Sequence, residues 1–191
     1  MTITTDTARL PLLLTTLRLP TVARLWPTIG ETADAEGWPA ARTPATLLEQ
    51  EVAERASRRI QRHLLEARLP SGKTLEGFDF AAVPMISRAR IATLAEGDSW
   101  LDKGTNILLF GPPGVGKTHF SAALGHALVE AGHRVLFGRT TDLVQQLQSA
   151  RQDLKLAATI EKLDKYDLLI LDDLSYVQKS QARSEEHTSE L

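Results

Sequence analysis

The chain is expected to adopt an α/β fold with a parallel sheet, and three apolar runs predict it. TNILLFG (105–111), HRVLFGR (133–139) and DLLILDD (167–173) are short, continuous and bounded by polar or glycine residues, as strands buried on both faces are. Helix-length stretches separate them, 118–131 after the first and 141–165 after the second. Strands that alternate with helices make a parallel sheet with crossover helices.

The elements before the sheet read as a small helical module. Residues 9–29 alternate leucine clusters with Arg18 and Arg24, and predict helix broken by Pro20 and Pro27. Residues 30–43, GETADAEGWPAART, hold the Gly, Pro and small polar side chains of a connecting loop. A second helix follows, with Thr43 placed to cap, Pro44 at the first helical position and few breakers until Pro70. PSGKTLEGFDF (70–80) is a turn-rich crossing, and VPMISRARIATLAEGDSWL gives one more short helix before Gly97. The expected division is therefore a helical module at 1–69, the sheet domain at 70–182 and a tail at 183–191.

With 191 residues and 42% apolar content, the chain can bury a core. It has no cysteine, so disulfides and thiolate metal sites are excluded, and its five histidines are scattered without ligand spacing. The formal net charge is −2, and a near-neutral total neither supports nor excludes a nucleic-acid partner. The leucine-rich start has no basic leader and is interrupted by Thr15, Thr16 and Arg18. It reads as neither signal peptide nor membrane span, so a cytoplasmic protein with no membrane partner is expected.

GPPGVGKT, Gly111 to Thr118, fits the pattern G-x-x-x-x-G-K-[ST] with a strand before it and a helix after it. Gly111, Gly114 and Gly116 let the backbone curl without Cβ clashes, so that successive N–H groups face a phosphate at the positive end of the next helix. Lys117 is placed to bridge β- and γ-phosphates, and Thr118 to hold Mg²⁺ through its hydroxyl. The candidate ATP-binding stretch comprises Gly111, Pro112, Pro113, Gly114, Val115, Gly116, Lys117, Thr118 and His119, with Lys117 also catalytic. A glycine-rich turn that happens to fit the pattern is the plainer alternative, and it leaves the matching flanks unexplained.

The third strand ends in Asp172 and Asp173, where strand carboxyl ends face the same crevice as the loop. Adjacent carboxylates on a strand point to opposite sides and need different roles. Asp172 fits as the Mg²⁺ partner, the Walker B role, and Asp173 as the catalytic residue polarising the attacking water. A solvated acidic turn is the competing reading.

With both motifs in place, the chain resembles the IstB-like family, ATP-binding helpers of insertion-sequence transposition in the IstB/DnaC group of AAA+ ATPases. The resemblance runs from residue 1 to about 182 and rests on LRLP, LEARLPSGKTLEGFDF, NILLFGPPGVGKTHFSAALGHAL and YDLLILDDLSYV. It implies a P-loop AAA+ three-layer parallel sheet, here with only the first three core strands, carrying a small N-terminal helical module for oligomerisation or partner contact. It also implies ATP and Mg²⁺ as cofactors, and a DNA-dependent ATPase that forms a homo-oligomer on double-stranded DNA and recruits or stimulates a transposase. Most AAA+ ATPases carry Glu at the position of Asp173, whose shorter side chain reaches less far toward a water.

Other features bear less weight. Arg55, Arg58, Arg59 and Arg62 fall on one stripe of the second helix, as a DNA contact requires, but Glu51 and Glu54 stand four residues before Arg55 and Arg58 in the order that favours intrahelical pairs. The neighbouring ladder of Val52, Ala56, Ile60 and Leu64 suits packing within the module or against another subunit. His119 reads as a packing residue rather than a catalyst. Thr140 and Thr141 end the second strand near the expected crevice, but a helix cap explains one of them, and Trp26, Trp38 and Trp100 are expected packing anchors.

A DnaC-like helicase loader and a small-molecule P-loop kinase are the competing functions, and the aspartate pair counts against the kinase. RSEEHTSEL (183–191) resembles one reading frame of a sequencing-library adapter, so the natural coding sequence is expected to stop near Ala182. The AAA+ strand order 5-1-4-3-2 requires a fourth strand between that of Asp172 and that before Gly111. No candidate for it follows residue 177, so the chain alone is expected to be a truncated, poorly soluble and inactive fragment.

Overall fold

The computed structural model describes residues 3–80, 83, 87–97 and 100–174. The tail 183–191 lies outside the described residues. Helices α1 (Ile3–Thr16), α2 (Pro20–Glu36), α3 (Arg42–Ala67), α4 (Arg88–Glu96) and α5 (Lys117–Glu130) precede strand β1 (Val135–Arg139). Helices α6 (Thr140–Gln152) and α7 (Leu156–Leu163) lead to strand β2 (Leu168–Asp172). Two compact units divide the chain, Met1–Gln61 and Arg62–Leu191, and α3 runs through the division.

In the first unit Leu14, Val22 and Leu47, one from each helix, form the core, with Leu10, Leu25, Trp26 and Ile29 packed around them. The turn between α1 and α2 uses Arg18 at φ 55°, and the Leu19 N–H donates to the Leu14 carbonyl at 2.9 Å. Proline acts differently at its two sites. Pro20 opens α2, where a missing N–H costs no bond, whereas Pro27 lies inside the helix and does not break it. The flanking Leu25, Trp26 and Ile29 pack on the core and hold the helix through that gap.

The expected loop at 30–43 is therefore corrected: its first half is helix up to Glu36. Gly37 at φ 61° ends α2, and the Trp38 N–H returns to the Ala33 carbonyl at 2.9 Å. α3 starts at Arg42, ahead of Thr43, with Pro44 in its first turn. Trp38 is no core anchor; it lies under the Arg42 guanidinium, 3.9 Å from ring centre to Cζ.

The start of α2 is capped from another helix. Leu19 offers no side-chain cap, so the Thr21 and Val22 N–H groups donate instead to Glu51 Oε2 of α3, at 2.7 and 3.2 Å. Glu51 is 2% exposed. Burial pushes its carboxyl up, but the two backbone N–H groups, the Thr21 hydroxyl and the Arg55 charge outweigh burial and hold it below its ordinary value.

The second unit centres on α5. Its Ala122, Ala123, Leu124, Leu128 and Val129 are buried, and it packs on α4, β1 and β2. Small residues bring the sheet close. A Cβ on Gly125 would sit 2.7 Å from Leu69 Cδ2 and 2.8 Å from Ile170 Cδ1, so a larger residue there would have to move those two side-chain ends. Ser87 caps α4 by accepting from the Arg90 N–H at 3.2 Å, and the buried Trp100 donates from its indole to the Leu94 carbonyl at 2.9 Å.

β1 and β2 pair in parallel, in register from Val135↔Leu168 to Arg139↔Asp172, with α6 and α7 as the crossover. The α/β class with a parallel sheet is thus present. Of the three runs expected as strands, however, 105–110 does not pair with this sheet. Leu108 is 66% and Phe110 86% exposed. An apolar run becomes a buried strand only when a neighbour supplies hydrogen bonds and faces cover it, and among the described residues no strand pairs with this one.

Candidate phosphate-binding site

The loop before α5 has the backbone that its glycines permit. Gly111, Gly114 and Gly116 have φ of 156°, 84° and 87°, and Gly116 passes directly into Lys117, the first residue of α5. Residues 111–115 are exposed, including Pro112, Pro113 and Val115, so the loop is open to a ligand. On its inner side Gly116 lies against Phe78, whose Cε2 would be 3.4 Å from an added Cβ. The first N–H groups of α5 carry no side-chain cap. They are free to bind an anion.

The two polar side chains that follow are both committed within the site. Lys117 Nζ donates to the Gly111 and Pro112 carbonyls, each at 2.8 Å, and so folds back along the loop. Thr118 Oγ1 donates to the Asp172 carboxylate, at 3.0 Å to Oδ1 and 3.1 Å to Oδ2. This bond joins residues 54 apart in sequence, one on α5 and one at the end of β2. Asp173, exposed, leaves the strand at φ 57°, a left-handed conformation that Asp adopts more readily than most residues.

These residues fit a Mg²⁺-bound triphosphate. Mg²⁺ takes hard oxygen donors and usually needs few from the protein, the rest coming from phosphate and water. Thr118 and Asp172 are such a pair. Among the described residues no group of three or more His, Asp or Glu side chains makes an all-protein metal site instead.

His119 is engaged by the crossing at 70–80. Its Nε2 lies 3.3 Å from the Thr74 carbonyl oxygen, and its ring meets Phe78 edge to face at 5.4 Å. Phe78 also meets Phe80 at 5.1 Å and Phe120 at 5.7 Å, so the crossing at 70–80 builds an aromatic floor under Gly116. The arginine stripe is partly occupied. Arg55 and Arg58 both pair with Glu51, at 3.5 and 3.3 Å, and Arg58 reaches the main-chain oxygen of Glu54 rather than its carboxylate.

Two contributors were not assigned these contacts from sequence, although Thr140 was placed near the crevice. Thr140 does not cap α6 with its side chain; its hydroxyl donates to the Asp172 carbonyl at 2.8 Å. Gly125 leaves the space on α5 that the Leu69 and Ile170 side chains occupy. Each depends on a partner distant in sequence, and no local pattern marks either.

A family model described as IstB-like ATP binding protein matches residues 12–188. An insertion sequence ATP-binding protein of Sinorhizobium fredii is 64% identical over 181 residues, 95% of this chain and 61% of that protein. The IS21 ATP-binding protein of Pseudomonas aeruginosa is 43% identical over 130 residues, 68% of this chain and 49% of its own. The IS5376 ATP-binding protein of Geobacillus stearothermophilus is 35% identical over 162 residues, 85% of this chain and 64% of its own. The chain thus spans about half to two-thirds of the length of these curated relatives.

Proposed function

The chain belongs to the IstB-like family of insertion-sequence ATP-binding proteins, and from that premise we propose that it holds Mg²⁺-ATP on residues 111–118, hydrolyses it, and serves transposition as an oligomer on double-stranded DNA that engages a transposase. The observation that carries the nucleotide part is the Thr118–Asp172 contact at 3.0 Å, because it brings the end of the loop and the end of the strand to one point. A shared turn of glycines alone would not do that.

Bound Mg²⁺-ATP supplies the phosphoryl group that passes to water and the metal charge that offsets the phosphate oxygens. The chain's own part is placement. The loop N–H groups and the start of α5 hold the anion. Lys117 exchanges its two carbonyl acceptors for phosphate oxygens, which retain its charge and offer stronger acceptors. Thr118 and Asp172 would hold the metal in place of their mutual bond, and Asp173, exposed at the strand end, would orient water and accept its proton at the carboxylate. The sheet domain is read as 70–182 and the helical module as 1–69.

ATP turnover of the full-length protein, measured without DNA, with single strands and with duplex, tests the rest. Stimulation by duplex is expected. Stimulation by single strands alone would instead favour a helicase loader, and phosphoryl transfer to a small molecule with no response to DNA would favour a kinase. Cytoplasmic location belongs to the same proposal; among the described residues no helix is long and apolar enough to cross a membrane.

A further inference from the structure

We propose that Thr140 is a positioning residue for the metal side of this site, acting through the main chain of Asp172; the inference rests on the reading of Thr118 and Asp172 given above. Thr140 is the first residue of α6 and stands one position beyond the last sheet pair, Arg139↔Asp172. Its side chain is on an element far from the loop in sequence, yet the residue is only 6% exposed. The Thr140 hydroxyl donates to the Asp172 carbonyl oxygen at 2.8 Å, so the end of β2 is tied to the start of α6 by one more bond where the ladder ends.

Two constraints then meet on a single residue. The Asp172 carboxylate receives Thr118, and the Asp172 carbonyl receives Thr140. The peptide between Asp172 and Asp173 is planar, so fixing that carbonyl also fixes the direction in which the Asp173 N–H and the following chain depart. Asp173 turns at once, at φ 57°. Without the Thr140 bond this peptide plane is less restrained: its rotation redirects the chain that carries Asp173, and the end of β2 that carries Asp172 loses its hold beyond the last sheet pair. The hydroxyl thus acts at one remove from the metal-binding carboxylate: it touches neither metal nor nucleotide, and it steadies the strand end that carries the group that does.

The test compares Thr140→Val, which keeps the branched shape and removes the hydroxyl, with Thr140→Ser, which keeps the hydroxyl, both in the full-length protein. A fluorescent ATP analogue is titrated in EDTA, and Mg²⁺ is then titrated at fixed analogue, with binding as the readout. The expected result is unchanged affinity in EDTA for both variants. The Mg²⁺ concentration for half-maximal effect rises about tenfold in Thr140→Val and stays at the wild-type value in Thr140→Ser. An unaltered Mg²⁺ response in Thr140→Val overturns the role, as does a loss shared equally by Thr140→Ser. A Thr140→Val protein that no longer binds the analogue in EDTA also overturns it, because the hydroxyl then supports the whole site and not its metal side. A wild-type protein that binds the analogue with no response to Mg²⁺ overturns the reading of Thr118 and Asp172 itself, and this inference with it.

Discussion

Lys117 rests on two carbonyls of its own loop, and this is the contact a triphosphate has to replace. Lys117→Ala is therefore expected to abolish tight ATP binding in equilibrium titration, while leaving the fold intact, since the lost bonds lie on an exposed loop. Unaltered affinity in that variant would remove the loop from the site. Asp173→Asn makes the complementary case. Asn tolerates the left-handed conformation seen at φ 57° at least as well as Asp, so the backbone stays as it is and only the charge goes. Binding should persist and turnover should fall by about 10²–10⁴, the range a positioned acid or base contributes; equal losses in binding and turnover would point to a structural role. At this scale the loop was legible because its eight residues are contiguous, and the strand-end aspartates because an apolar run leads into them. Thr140 was legible only as a strand-end residue near the crevice; its partner was not, since the bond spans 32 positions and a threonine before a helix has a local explanation as a cap.

Among elements, α2 depends on a carboxylate that it does not contain. With Pro20 at its start and Leu19 before it, the first N–H groups of α2 have no local acceptor, and Glu51 of α3 accepts from two of them. Glu51→Ala leaves those donors buried without a partner and should destabilise the first unit by about 1–3 kcal/mol. The acid dependence has a definite sign. The Glu51 carboxyl sits below its ordinary value in the folded chain, so its contribution is fully present above about pH 4.3 and is lost as pH falls through the lowered value. Helical circular dichroism followed under denaturant against pH should show that loss in the wild type and a flatter profile in Glu51→Gln; identical profiles would exclude the cap as its cause. The elements most misjudged from sequence share one reason. Pro27 and Gly30 look like breakers because local propensity counts them so, yet the neighbouring Trp26 and Ile29 pack on the core and packing decides in favour of helix. Residues 105–110 err the other way, since apolarity signals burial without saying whether a neighbour is there to provide it.

For the whole molecule, the helical unit and the sheet unit carry different parts of the proposal. Leu12, Leu13, Leu17, Leu48 and Val52 of the first unit are exposed, more apolar surface than three helices need to leave bare. A deletion that spares Glu66, which pairs with Arg134 at 3.0 Å, and Leu69, which meets Gly125, ends at Gln61. Removing residues 1–61 from the full-length protein should lower its mass in light scattering and leave nucleotide affinity unchanged; an unchanged mass would take self-association away from this unit. The two-stranded sheet has a consequence of another kind. Along a strand, successive amides point alternately to one neighbour and to the other, and β2 has a partner on one side only among the described residues. In deuterium exchange, Leu168 to Asp172 should therefore read as a comb, slow and fast amides in alternation, and a further strand laid along the open edge would even out its teeth.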